Sequence, residues 1–122
     1  MARHDIPRRI AMAYFAFTQR QGQEFIFELK DEAQITHARN ILSGKEKERV
    51  HVVGRIKKSS QPYNPTWSYH LDPATIDFFY VGIEIADANM EYVEDHLDEV
   101  GGAFLPGGVW GPWDSRLVRE VV

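Results

Sequence analysis

The sequence predicts an α+β fold, a single domain in which a mostly antiparallel β-sheet carries two α-helices packed on one face. Three observations lead to this prediction. Runs of alternating apolar residues predict β-strands, and two other segments place apolar residues at helical spacing between good capping residues. The 122 residues also contain no internal repeat and no dividing linker. We therefore expect one α+β domain over residues 10–122, after a flexible basic segment over residues 1–9.

Two strands joined by a turn are expected at the start of the domain. Residues 10–17 are mainly apolar, and in residues 24–30 every second residue is Phe or Leu, so that these side chains share one face. The linker 18–23 is polar and contains Gly22, which suits a turn. Together the two runs predict a β-hairpin.

A helix and a third strand follow. Asp31 is placed to cap the helix, with Gln34 three residues later as a variant of the capping box. Gly44 suits the carboxyl end of the helix. The apolar face of this helix consists of Ile35, Ala38, Ile41 and Leu42. After a charged connection, residues 50–56 predict the third strand.

The second half of the chain predicts a long strand, a second helix and a last strand. Residues 76–86 alternate in hydropathy, with Phe79, Val81, Ile83 and Ile85 on one face. Asp87 is the expected cap of a helix that runs to about Glu99 and ends at Gly101. A glycine-rich loop then leads to a strand at residues 115–121. The sequence does not determine the order of the strands in the sheet.

Composition excludes several function classes. The absence of cysteine excludes disulfide scaffolds, cysteine zinc sites and thiol catalysis. The net charge of −4 argues against a dedicated nucleic-acid binder, although residues 45–58 carry a local charge of +4 beside several aromatics. The histidines show no metal-ligand spacing and the glycines no phosphate-loop pattern, so no metal and no cofactor is expected.

The amino-terminal residues suggest no membrane association. The apolar run at residues 10–17 is too short to span a bilayer, and no small-residue cleavage site follows it. A cytoplasmic protein is therefore the default expectation, with a secreted protein in its mature form as the alternative. The oligomeric state does not follow from the sequence.

The most unusual residues are concentrated in two loops, residues 57–73 and 101–115. These segments contain all three tryptophans and five of the six prolines. Proline fixes its own φ and restricts the residue before it, so both loops are expected to be preformed. Preformed loops lose less entropy on binding, and Trp and Tyr dominate interface hot spots.

This concentration favours a non-enzymatic protein-binding domain, an inhibitor or regulatory module, whose partner is another protein. The predicted partner-binding residues are Tyr63, Asn64, Trp67, Trp110 and Trp113. Tyr63 and Trp67 are expected to be exposed because polar residues alternate with them. In the alternative interpretation, the aromatic rings cover the open ends of a small core.

A second hypothesis is a small hydrolase or ligand-binding domain with Ser68, His70 and Asp72 in an aromatic-lined cleft. His70 is the only histidine with both a hydroxyl and a carboxylate close to it in the sequence. Nothing around Ser68 resembles a nucleophile elbow. The sequence therefore leans against an enzyme.

Three strings of residues carry a resemblance to known proteins: PYNPTWSYHLDP (62–73), YVEDHLDEVGGAFLPGG (92–108) and WGPWDSRLV (110–118). With them the chain resembles, from about Phe25 to Val121, a group of small, mostly uncharacterised bacterial single-domain proteins. The resemblance implies a shared single-domain fold. It implies no reaction, cofactor or catalytic residue.

The sharpest electrostatic feature is residues 84–99, which contain seven acidic residues and no Lys or Arg, a local charge of −7. A solvated acidic face is the favoured interpretation, and a surface for a cation or a basic partner is the alternative. A calcium loop is rejected because Tyr92 stands where that loop needs glycine for its sharp turn.

Overall fold

The α+β fold is confirmed in the computed structural model, which describes residues 11–20, 22–82 and 84–122. These residues form two antiparallel β-sheets, one short parallel pair of strands at residues 100–106 and two α-helices, α1 at Glu32–Ser43 and α2 at Met90–Asp95. Short 3₁₀ turns cover Pro73–Thr75, Glu84–Ala86 and Leu97–Glu99. The predicted amino-terminal segment 1–9 and Ile10 lie outside the described residues. The strands are β1 Ala13–Thr18, β2 Glu24–Leu29, β3 His51–Lys57, β4 His70–Leu71, β5 Asp77–Phe79, β6 Val100–Gly101, β7 Phe104–Pro106, β8 Val109–Trp110 and β9 Arg116–Val121.

The predicted hairpin is confirmed and forms the first sheet. β1 and β2 pair antiparallel with Phe17 opposite Phe25, and β9 pairs antiparallel with the other edge of β1. Phe15, Phe17, Phe25 and Phe27 are all fully buried. This sheet therefore supplies most of the aromatic side of the core.

The second sheet is organised around β3. β4, β5 and β8 each pair antiparallel with a different part of β3, so that Ile56, His51 and Gly54 lie opposite Leu71, Phe79 and Trp110 respectively. Ring contacts join the two sheets: the ring centroid of Trp110 lies 5.8 Å from that of Phe17 and 5.2 Å from that of Phe25. The two sheets thus share one aromatic core.

The first helix forms as predicted. The side chain of Asp31 accepts a hydrogen bond from the Gln34 amide, and Gly44 ends the helix in the left-handed conformation, with φ of 87°. Ile35 and Ala38 are buried, and Ile41 and Leu42 pack against the core. Helices of this kind follow from local sequence because caps and apolar spacing act over a few residues.

The long strand predicted at residues 76–86 is wrong. Among the described residues of this segment only β5 pairs, and Phe78 rather than Phe79 is its buried residue. Phe79 lies opposite His51, the first residue of β3, so the chain beyond Phe79 has run past the end of its partner strand. Val81 and Ile85 are exposed, and Ile83 lies outside the described residues.

The second helix begins later and ends sooner than predicted. Asn89 caps it by accepting a hydrogen bond from the Tyr92 amide at 2.7 Å. Asp87, the predicted cap, accepts instead from the amide of Trp113 at 3.0 Å. None of the helices in the described part of the chain is long and apolar enough to cross a membrane.

Candidate functional site

Two of the three tryptophans belong to the core. Trp110 is fully buried, and its indole N–H donates to the carbonyl of Ala88 at 2.9 Å. Trp67 is only 5% exposed and donates to the carbonyl of Glu24 at 3.0 Å. The predicted exposure of Trp67 is therefore wrong, because its ring packs on Phe25 while a strand carbonyl satisfies its polar atom.

Asn64 has a structural position as well. It is 1% exposed, its side-chain oxygen accepts from the Ile26 amide at 2.9 Å, and its side-chain nitrogen donates to the Tyr69 carbonyl at 3.2 Å. The bond from Ile26 ties the predicted loop at residues 57–73 to the edge of β2, and the bond to Tyr69 closes the loop on itself. Asn64, Trp67 and Trp110 therefore offer a partner little surface in this conformation.

Tyr63 is half-buried beside the first sheet. Its ring centroid lies 5.0 Å from that of Tyr14 and 6.5 Å from that of His70. Burial raises the pKa of Tyr63 to about 12, and the neighbouring carboxylate of Glu28 adds to the increase. The phenol therefore remains protonated in the folded domain at pH values where a free tyrosine ionises.

This environment makes the stability of the domain pH-dependent in alkaline solution. A tyrosine in the unfolded chain has a pKa of about 10, so above that pH the unfolded state releases a proton that folded Tyr63 keeps up to pH about 12. The contribution of Tyr63 to stability is complete below pH about 10 and is lost as the pH rises toward 12. Across this window the unfolding free energy falls as the pH rises. We expect Tyr63→Phe to make that slope shallower, by up to the amount that corresponds to the release of one proton.

Urea unfolding at several alkaline pH values measures this slope. Tyr69, whose pKa is also raised by burial, is present in both proteins, so only the difference between the two slopes reports Tyr63. Equal slopes in the two proteins would contradict the prediction.

Ser68, His70 and Asp72 each make a separate hydrogen bond. The Ser68 hydroxyl donates to Glu94 at 2.6 Å, and the Nδ1 atom of buried His70 lies 2.6 Å from the carbonyl oxygen of Ser59. Asp72 accepts from the Ala74 amide at 3.1 Å and caps a 3₁₀ turn. These bonds do not connect the three residues as a Ser-His-Asp triad requires.

An exposed apolar surface lies elsewhere, on the chain after β5. Val81 is 66% exposed, Ile85 57% and Trp113 39%, and Tyr80 is similarly exposed. We call Tyr80, Val81, Ile85 and Trp113 the apolar patch. Of the predicted partner-binding residues, only Trp113 belongs to it.

A small pocket opens beside this patch. It has a volume of about 210 Å³ and almost entirely apolar walls. Its lining residues, which define the apolar pocket, are Val53, Phe79, Gly82, Ala86, Val109 and Gly111. Val81 and Ile85 directly adjoin Gly82 and Ala86 in the chain, so the backbone that carries these two exposed residues borders the pocket.

Two glycines let the walls of the pocket approach closely. A Cβ atom on Gly82 would lie 2.8 Å from the Phe79 ring and 3.2 Å from Nε1 of Trp113. A Cβ atom on Gly111 would lie 3.1 Å from Val53. Any larger residue at position 82 would displace one of the two rings, so Gly82 sets the position of Trp113 at the pocket.

Hydrogen bonds between two chain segments hold the pocket and the patch together. The amide of Gly111 donates to the carbonyl of Ala86 at 2.9 Å, and the amide of Trp113 donates to the Asp87 side chain. The buried indole of Trp110 binds the carbonyl of Ala88. Three successive residues, 86 to 88, are thus fixed to residues 110–113 although they belong to no strand.

A polar groove of about 500 Å³ continues from Trp113. The residues that define it include Arg20, Asp87, Asn89 and Asp114, and Gln19 lies at its base. Gln19 is buried: its oxygen accepts from the Met90 amide at 2.8 Å, and its nitrogen donates to Asp114 at 2.8 Å and to the Ala88 carbonyl at 3.2 Å. One side chain at the end of β1 therefore organises the groove.

Sequence reasoning missed this surface because it placed Val81 and Ile85 in a strand. The available signal was Gly82, since an isolated glycine within a strand pattern often marks a close approach of the backbone to another group. The described residues contain no group of three His, Asp or Glu side chains placed to hold a metal ion.

Comparison with known proteins gives one finding. The model of the BP-74 N-terminal domain family matches residues 11–122. No curated protein and no solved structure matches the chain. The match includes all three strings on which the resemblance to a small domain family rests, together with both sheets and both helices. The chain belongs to the BP-74 N-terminal domain family.

Proposed function

We propose that this domain is a non-enzymatic protein-binding domain, an inhibitor or regulatory module, and that its binding surface is the apolar patch with the apolar pocket. One observation carries the proposal: large apolar residues are exposed next in the chain to residues that line a pocket with apolar walls. Exposed apolar surface of this kind is typical of protein-interaction sites. The predicted set of binding residues thereby changes to Val81, Ile85 and Trp113.

The buried members of the predicted set support this surface indirectly. Trp110 anchors Ala88, which follows the pocket residue Ala86 by two positions. Gly82 and Gly111 bring the walls together, and hydrogen bonds hold them there. A surface fixed in this way loses little conformational entropy when a partner binds. The partner needs one apolar side chain to fill the pocket.

A random linear peptide library displayed on phage tests the proposal with the purified domain. We expect selected peptides to bind at least about tenfold more weakly to Val81→Asp and to Ile85→Asp, since burial of an apolar side chain is worth about that factor or more. Val118→Asp is the matched control, because Val118 is an exposed valine on β9. It should bind like the unmodified domain.

Thermal melts of each variant establish that it is folded before binding is compared. The proposal is wrong if no peptide is enriched, or if the enriched peptides bind the variants at positions 81 and 85 as tightly as they bind the control.

A further inference from the structure

We propose that the partner segment recognised here is basic as well as apolar: it places an apolar side chain in the apolar pocket and a lysine or arginine in the polar groove. This inference rests on the proposed function and specifies the chemistry of the partner. It is argued from the continuity of the two sites and from their charge.

The pocket and the groove are adjacent. Ala86 lines the pocket and Asp87, the next residue, lines the groove. Trp113 lines the groove, and its Nε1 atom is 3.2 Å from the Cβ position of the pocket residue Gly82. Consecutive residues of an extended chain advance by about 3.3–3.6 Å. Side chains a few residues apart in one segment can therefore occupy both sites.

The groove presents two carboxylates that can still accept hydrogen bonds. Asp87 and Asp114 are both exposed, and each uses only its Oδ1 atom, for the Trp113 amide and for Gln19 respectively. In the described part of the chain, the Oδ2 atoms make no hydrogen bond. Arg20 lines the same groove, and Arg116 lines the adjoining pocket together with Arg20 and Asp114, so these four side chains carry no net charge.

The net negative charge on this side of the domain comes from the surroundings of the groove. α2 and the 3₁₀ turn that follows it carry five further acidic residues and no Lys or Arg: Glu91, Glu94, Asp95, Asp98 and Glu99. Between described residues, the Lys or Arg ion pairs are Arg39–Glu120 and Arg119–Glu24, and both involve β9. None of these five acidic residues forms an ion pair with a described Lys or Arg, and the field of the segment attracts a basic segment.

The indole of Trp113 would also stabilise a cation that binds at this position. Its indole is partly exposed and borders the groove that holds both carboxylates. A cation over the face of an indole is attracted by the ring quadrupole. An arginine or lysine that lies against Trp113 would thus have an aromatic face and two carboxylates within one groove.

The peptides selected on the unmodified domain test the inference when they are measured on Asp87→Asn and Asp114→Asn. Asparagine keeps the oxygen that accepts the internal hydrogen bond, so each change removes charge and leaves the contact in place. Asp98→Asn is the control, since Asp98 is an exposed residue of the same acidic segment. We expect enriched Lys or Arg near the apolar residue of the peptides, and about threefold to tenfold weaker binding to the double variant.

A matched peptide in which the basic residue is replaced by glutamine isolates the interaction. It should bind the unmodified domain and the double variant equally, because the charge pair between the peptide cation and the groove carboxylates is then absent. If the selected peptides depend on Val81 and Ile85 but carry no basic residue, or bind the asparagine variants undiminished, the inference fails while the proposed function stands. If they do not depend on Val81 and Ile85, both fail.

Discussion

Replacing Trp110 with alanine is expected to lower the free energy of unfolding by about 3–5 kcal/mol, the cost typical of removing a large buried aromatic side chain. Trp110 is fully buried between the two sheets, with its ring against Phe17, Phe25 and Tyr69. The substitution also leaves the Ala88 carbonyl with one donor fewer. Urea unfolding followed by circular dichroism measures the change.

Trp113→Ala is the matched control, because Trp113 is 39% exposed and lies three residues away. It should cost clearly less than Trp110→Ala. Since small domains are stable by only about 5–15 kcal/mol in total, Trp110→Phe provides a milder variant if the alanine variant is unfolded. Equal losses at positions 110 and 113 would contradict the assignment of Trp110, but not Trp113, to the core.

Replacing Asn64 with alanine is expected to cost about 2–4 kcal/mol, because it leaves two backbone groups without their partners. The Ile26 amide loses its acceptor and the Tyr69 carbonyl loses a donor. Urea unfolding gives the free energy, and amide hydrogen exchange gives a local readout. The Ile26 amide should exchange faster in the variant than in the unmodified domain, and this increase should exceed that of its neighbours in β2.

Asn40→Ala is the control for this change. Asn40 lies on α1, is partly exposed, and its side chain makes no hydrogen bond among the described residues. It should change stability by less than about 0.5 kcal/mol. A similar loss in both variants, or an unchanged exchange rate at Ile26, would show that Asn64 does not hold the loop against β2.

Local patterns predicted those parts of the fold that local forces determine. The hairpin at β1 and β2, α1 with its Asp31 cap, and β9 follow from spacing and capping over a few residues. The strand predicted at residues 76–86 failed because its length depends on where β3 begins. Alternation shows that a segment can form a strand, whereas pairing requires a partner of sufficient length.

The candidate site was less predictable than the fold. Loop composition identified unusual residues, but it could not separate Trp67 and Trp110, which are buried against Phe25, from Trp113, which is partly exposed. The difference arises from which indoles pack against Phe25, a property of the folded chain. Val81 and Ile85 are of residue types that usually lie in a core. They are exposed because β3 has no residues left to pair with the chain beyond Phe79.

The position of Gln19 has a consequence for how this surface can vary among related domains. Its side chain joins the end of β1 to Met90, Ala88 and Asp114, so a substitution at the base of the groove also releases β1 from these three residues. Val81 and Ile85 differ from Gln19 because their side chains are exposed. The hydrogen bond between Gly111 and Ala86 holds the backbone of their segment. Under the proposed function, partner choice can therefore evolve at the patch at little cost in stability, while the groove is constrained to change slowly.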